Sequence, residues 1–446
     1  MDATVSSFER PSFAEATRTF ARIGLLSFGG PAGQIALMHR ILVDEKKWLD
    51  EQRFLHALNY CMLLPGPEAM QLATYAGWLL HGIRGGLVAG LLFVLPGAFV
   101  ITLLSALYLT LGHVTLVQGL LFGLKAAVLA VVLEALIKVA KRAIKSGAMA
   151  LLAVAAFIAI AFLKLPFPLV IAVVAVVGGL GYLAGGRGAE RAMQTDDQAV
   201  EMPEWARPSG RRFIVTLAVW LAIWFGPFFL ILAAAGSGHV FAAEAAFFSK
   251  MAAVTFGGAY AVLAYVAQQA VEVYGWLKPD EMLTGLGLAE TTPGPLILVL
   301  VFVGFLGGAR LSGWEPLLGG MAGAAVTLWF TFVPCFLWIF VGAPYVETVR
   351  NVKWLASALA AVTSAVVGVI ASLGLWLALH VLFAQVTDVM YGPLVLPVPE
   401  LATFHAAAAL IAVASGVALI RYKANMLVVL AAAAVAGMAW QFGVPS

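Results

Sequence analysis

The chain has 446 residues, of which 62% are hydrophobic and 11% charged, with a mean hydropathy of +0.98. Soluble domains carry about 25% charged residues, so a soluble fold of this length is excluded. A net charge of +3 leaves no footprint for nucleic acid.

No cleavable leader is expected, because the first twenty residues hold Glu9, Arg10, Glu15 and Arg18 and no continuous apolar run. Two apolar segments broken in the middle come first. Residues 13–28 and 31–43 flank Gly29-Gly30, and residues 53–64 and 67–81 flank Pro65-Gly66-Pro67. Each limb is long enough for roughly 18–24 Å of helix, short of the about 30 Å of hydrocarbon in a bilayer. Each pair therefore predicts a re-entrant hairpin with its tip near the midplane, or a tilted broken span. Longer apolar blocks follow at 87–111, 119–132 and 148–163. Lys125 lies in the second block and Glu134 just beyond it. Lys138, Lys141, Arg142 and Lys145 come next, with no acid among them, and predict a cytoplasmic end.

Residues 185–212 hold five cations and five acids and read as a solvated cytoplasmic linker. An apolar block at 214–235 then opens a second copy of the first half. At an offset of 228, Ser27-Phe28-Gly29-Gly30 meets Thr255-Phe256-Gly257-Gly258, Trp48-Leu49 meets Trp276-Leu277, and Pro65-Gly66-Pro67 meets Pro293-Gly294-Pro295. From 27 to 67 there are 12 identities in 41 positions without a gap. A later insertion shifts the offset to 238, where Pro96 meets Pro334. The block at 214–235 has no counterpart before the first SFGG, and one extra crossing inverts the second half. Charge agrees: residues 376–383, the counterpart of the basic stretch, lack Lys and Arg, and Arg421 and Lys423 precede the last block, 426–440. The expected fold is an all-α integral membrane protein, a polytopic helical bundle of two inverted-topology repeats with broken or re-entrant helices. The repeats are 1–184 and 213–446, joined by the linker 185–212, with 376–395 periplasmic. Inverted repeats are a common transporter architecture.

The breaks have anion chemistry. Proline at a helix start wastes no N–H, and Pro31, Pro67 and Pro295 are placed for that role. The next amides point out of the helix end along its dipole, and glycine lets an anion approach the backbone. Candidate oxyanion ligands are therefore Ser27, Gly29, Gly30, Gly66, Thr255, Gly257, Gly258, Thr292 and Gly294, with Lys125 as an attracting charge. Glu68, directly after Pro67, and Glu290, before Thr291-Thr292-Pro293, are candidates for proton coupling, since ionisable groups in apolar runs are costly and often functional. Glu68 also borders the anion site, and half two has Leu296 at its position. A helix-capping acid and an ion-paired Lys125 are the plainer readings. Arg22, Gln34, Asn59, Gln71, Thr74 and Tyr75 are weaker candidates. Cys61 and Cys335 read as buried packing thiols, and the seven histidines form no ligand-spaced cluster, so neither a metal nor a cofactor is expected.

FARIGLLSFGGPAGQIALMHR, KKWLDEQRF and LPGPEAMQLATYAGW resemble the first domain of the chromate ion transporter (CHR) family. KMAAVTFGGAYAVLAYV and TTPGPLILVLVFVGF resemble its second domain. The resemblance covers both halves and so is to the long, two-domain form. It implies a multi-pass protein of the bacterial inner membrane that exports chromate, with sulfate as an analogue and the proton-motive force as driver. Sulfate or another oxyanion as cargo, and a passive anion channel, are the alternatives. An enzyme is not expected, because no Rossmann glycine fingerprint follows a strand and no Cys-x-x-Cys-His or paired His set is present. The expected partners are chromate, protons and the lipid bilayer; a homo-oligomer is compatible with the sequence.

Overall fold

The computed structural model describes residues 11–183, 208–256, 258–345 and 353–443. The linker's centre and Gly257 lie outside the described residues. Among those described, six helices are long and apolar enough to cross a membrane. The protein is a membrane helical bundle.

Helix α1 (Phe13–Leu26) ends at the first break, and α2 (Gly30–His39) leads away through a π-turn, Arg40–Glu45. Just beyond it, Lys46 pairs with Glu15 in the first turn of α1 at 2.8 Å. The two arms thus return to the end where they began. α3 (Glu51–Cys61) starts at that same end, where Glu51 meets His39. After the Pro-Gly-Pro turn comes α4 (Glu68–Leu111). This helix is itself broken at His81 and Gly82, where Gly82 takes φ +62°. Its short arm ends with His81 against Phe13, ring centroids 5.5 Å apart. Its long arm, 83–111, is long enough to span the bilayer. α5 (Thr115–Ala143), α6 (Gly147–Ala161) and α7 (Phe167–Leu183) complete the half.

The second half opens with α8 (Gly210–Ala235) and α9 (Val240–Val254). After the second glycine break come α10 (Ala259–Gln268) with its π-turn Gln269–Val273, then α11 (Pro279–Thr291). Past the second Pro-Gly-Pro, a short turn Leu296–Leu298 leads into α12 (Val299–Leu311). α13 (Pro316–Gly342) and α14 (Lys353–Leu382) follow, then α15 (Ala406–Gly416) and α16 (Met426–Gly443). These arms also fold back, but toward another set of residues. Phe247 of α9 packs against Tyr265 of α10 and Tyr274 beyond it, ring centroids 5.9 and 5.6 Å apart, and Glu272 after α10 approaches Lys164 between α6 and α7.

The helical bundle carries one element that is not helical. Strands β1 (Val386–Tyr391) and β2 (Leu394–Pro399) form an antiparallel hairpin turning at Gly392. Val395 N–H donates to Phe162 O at 2.7 Å, which docks it on the α6–α7 turn. Pro397 and Pro399 lack the N–H a central strand needs, and an edge hairpin tolerates them. We call this the hairpin end of the bundle, and the opposite one, next to residue 208, the linker end.

The halves are not separate packing units. α6 and α7 pack on α14 of the second half, while α15 and α16 pack on α5 of the first. Small residues make the seams. A Cβ on Gly123 of α5 would stand 1.8 Å from Ala433 O of α16, and one on Gly368 of α14 would stand 1.9 Å from Ala153 O of α6. Backbones that close are the usual way membrane helices gain packing energy.

Candidate functional site

The four breaks form an interlocked pair of junctions. Gly66 N–H, in the first Pro-Gly-Pro, donates to Thr255 O of the second glycine break at 2.7 Å. Gly294 N–H, in the second Pro-Gly-Pro, donates to Ser27 O of the first glycine break, also at 2.7 Å. The two bonds are related by the same 228-residue offset. Each Pro-Gly-Pro turn also rests on a crossing helix of the opposite half. Gly66 lies against Cys335 of α13, and Pro293 O lies where a Cβ on Gly97 of α4 would stand 1.9 Å away. Pro96-Gly97 and Pro334-Cys335 share the 238 offset, so the signal for these supporting residues was in the sequence.

Local chemistry explains the turns. Gly29, Gly30, Gly66, Gly258 and Gly294 all have φ between 72° and 126°, a region that side chains with a Cβ rarely adopt. Pro31 is the second residue of α2, as a helix start requires. Pro67 and Pro295 sit one position earlier than expected, as the residues preceding the first turns, with extended ψ of 109° and 138°. Ser27 and Thr255 donate their hydroxyls back to Ile23 O and Met251 O, 2.6 and 2.5 Å away, and Thr292 donates to Ala289 O at 2.8 Å. Gln34 Nε2 reaches across to Gly294 O at 2.6 Å, and Gln71 Nε2 holds Pro65 O at 2.7 Å. Both amides are buried, and the Oε1 of each has no hydrogen-bond partner.

The amides of Gly66 and Gly294 are therefore engaged by carbonyls, whereas the helix starts at Gly30 and Ala259 are not equivalent. At the start of α2, Gly29 is exposed, and no protein atom lies within 4 Å of where a Cβ on Gly29 or Gly30 would stand. At the start of α10, the Glu68 carboxylate comes within 3.3 Å of where a Cβ on Gly258 would stand, and its Oε2 is buried without a partner. Tyr260, in the first turn of α10, donates its hydroxyl to Glu290 Oε1 at 2.7 Å. One helix start is thus flanked by two carboxyl groups, one from each half. At the other, no carboxyl atom lies within 4 Å of where a Cβ on Gly29 or Gly30 would stand. Tyr260 was not expected from sequence; its counterpart in the first repeat is Ala32.

Lys125 is not part of this cluster. It pairs with Asp280 at 3.5 Å, in the first turn of α11, about 16 Å along that helix from Thr291. Glu134 pairs with Lys138 at 2.6 Å instead. Arg22 pairs with Glu45 at 3.4 Å near the linker end, and Asn59 is exposed. A further acid was missed altogether: Glu244 of α9 is fully buried, and neither carboxylate oxygen has a partner. It fits because residue 307 is glycine; a Cβ there would stand 2.9 Å from Glu244 Oε1.

Both pairs of breaks fall within the segments that comparison with known proteins matches. The family profile described as Chromate transporter matches residues 14–180 and 243–438. The chain belongs to that family. It is 30% identical over 376 residues to a protein of Pseudomonas aeruginosa named chromate transport protein, covering 83% of this chain and 82% of the relative. A probable chromate transport protein of Synechococcus elongatus is 27% identical, covering 81% and 83%. The chromate transport protein of Cupriavidus metallidurans is 26% identical, covering 79% of each. No solved structure matches the chain. Membership in this family, with six helices among the described residues long and apolar enough to cross a membrane, makes this a multi-pass membrane protein, located in bacteria in the inner membrane.

Proposed function

We propose that the protein is a secondary transporter that exports chromate across the inner membrane, driven by the proton-motive force. The relatives named for chromate transport support the cargo. The observation that carries the mechanism is the inequality of the two helix starts. In this reading the oxyanion sits at the start of α2, against the amides after Gly29 and Gly30, where dipole and backbone favour an anion. Ser27, Gln34 and Gly294 hold that start in place. The start of α10, with Glu68 and Glu290, takes the proton. The two halves are inverted repeats, their arms are re-entrant from opposite faces, and the linker end is cytoplasmic. The reciprocal bonds Gly66–Thr255 and Gly294–Ser27 then join the two sites, so a shift at one break moves the other.

Energetics are sufficient. Moving a dianion out of an inside-negative cell is favourable by about 4.6 kcal/mol per 100 mV, and inward proton movement adds to that. The deciding measurement is uptake of labelled chromate into inverted vesicles, with imposed pH gradients and sulfate competition. Chromate accumulation that rises with an acid interior supports proton-driven export. Sulfate uptake at a higher rate than chromate would reassign the cargo. Absence of counterflow of labelled against unlabelled anion would make the protein a channel.

A further inference from the structure

A cavity of about 550 Å³ opens at the linker end between the break in α4, the start of α8 and the end of α13. We propose that it binds the headgroup of an anionic phospholipid. Its described polar lining includes Arg84, Arg212 and His81, with no acid among the described lining residues. His81 Nε2 is buried there without a hydrogen-bond partner. Ser209, which precedes the first turn of α8, makes no side-chain capping bond and adds a hydroxyl to the same wall. The volume lies in the range of sites for small organic molecules. A basic recess between spanning helices near a membrane face is the setting in which phosphate headgroups are held.

Two further observations favour a lipid over a free oxyanion on its way to the breaks. First, Phe340 of the cavity wall belongs to a packed cluster of rings. Trp220 lies against Phe336 and Phe340 at 5.8 and 5.3 Å, and those two phenylalanines lie 6.0 Å apart. Phe336 and Phe340 in turn fill the space left by Gly90 and Gly86 of α4. Second, the cavity's outer wall continues onto the most lipid-facing helix. Only 6% of the apolar window of α8 is buried, and Ile214 and Val215, one turn beyond Arg212, are 66% and 54% exposed. A headgroup in the cavity has an apolar surface at hand for its acyl chains. This inference does not depend on which anion the protein carries.

The test uses the full chain in detergent, with phosphatidylglycerol, phosphatidylcholine and inorganic phosphate as probes and bound lipid read by native mass spectrometry. Phosphatidylglycerol is expected to bind about tenfold or more tighter than phosphatidylcholine, a preference that Arg84→Gln with Arg212→Gln removes. If that double variant does not fold, a photoactivatable phosphatidylglycerol on the unaltered protein is expected to cross-link within the cavity wall, at Phe213 or Trp78. Equal binding of the two lipids, an unchanged preference in the folded variant, or cross-links confined to other helices would overturn the proposal. So would competition by inorganic phosphate at the lipid's own concentration, which would make the cavity a site for free anions.

Discussion

Glu68 stands at the start of α10, its carboxyl beside Gly258, and it makes no ion pair among the described residues, which gives it a testable role. In Glu68→Gln the negative charge beside the breaks is gone, so chromate should bind as well as before or more tightly. Transport should keep its dependence on voltage and lose its dependence on the pH gradient. Vesicles with independently set gradients read the two separately; a wild-type response to pH alone would leave Glu68 as a capping acid and move attention to Glu290. Glu244 makes a different residue-scale prediction. A buried acceptor left unpaired costs about 1–3 kcal/mol, and both of its oxygens are unpaired. Glu244→Met should therefore raise thermal stability in detergent, while Gly307→Ala, which pushes a methyl into the carboxyl, should lower it. A Glu244→Met protein that is less stable than wild type would show that this carboxyl has a partner at work. Glu68 and Glu290 were legible in the sequence as acids bordering Pro-Gly-Pro turns. Glu244 was not, because a lone acid in an apolar run carries no turn to mark it, and its glycine partner lies 63 positions away, at 307 against 244.

At the scale of elements, the breaks were legible because glycine and proline punctuate local structure, and a repeated punctuation in one register leaves little ambiguity. Both glycine breaks and both Pro-Gly-Pro turns fall where sequence placed them. Which break docks on which was not legible, since that pairing is tertiary and crosses between halves. The β-hairpin was hidden by its prolines, and the break at His81-Gly82 by a single glycine without a proline. The docking makes its own prediction through Gly97. A Cβ there would stand 1.9 Å from Pro293 O and 2.5 Å from Leu298 Cδ1, too close for any rotamer change to relieve, because one partner is backbone. Gly97→Ala should push the second Pro-Gly-Pro off its seat and with it the Gly294–Ser27 bond. Overpacking of this kind costs about 1–3 kcal/mol, so the protein should still reach the membrane. Chromate transport should fall at least tenfold at wild-type expression. Full transport in Gly97→Ala would mean that the seat is not needed for function.

For the whole molecule, the charge pattern and the extra helix α8 predict the orientation of the bundle, and contacts identify its two ends. Lys46 with Glu15 and His81 with Phe13 mark one end. Lys164 with Glu272 and Asp388, at 3.7 and 3.8 Å, marks the other. Asp388 is 50% exposed at its side chain, and Cys61 and Cys335 are buried, so a single added cysteine has a quiet background. Asp388→Cys should react with an impermeant maleimide in intact cells, whereas a cysteine within 190–205 should react only after permeabilisation. Labelling of the linker in intact cells would reverse the orientation and the export direction that follows from it.

The exchange of helices between halves also bears on how the chain is made. α5 leaves the ribosome with its glycine face bare, and the helix that covers it, α16, is the last to be synthesised. α6 and α7 likewise wait for α14. Neither half can settle into its final packing while its partner is missing, so the first half must persist in the bilayer as an unfinished assembly through most of translation. Two polypeptides cut within the linker should then accumulate only when they are produced in the same cell, each acting as the other's folding template.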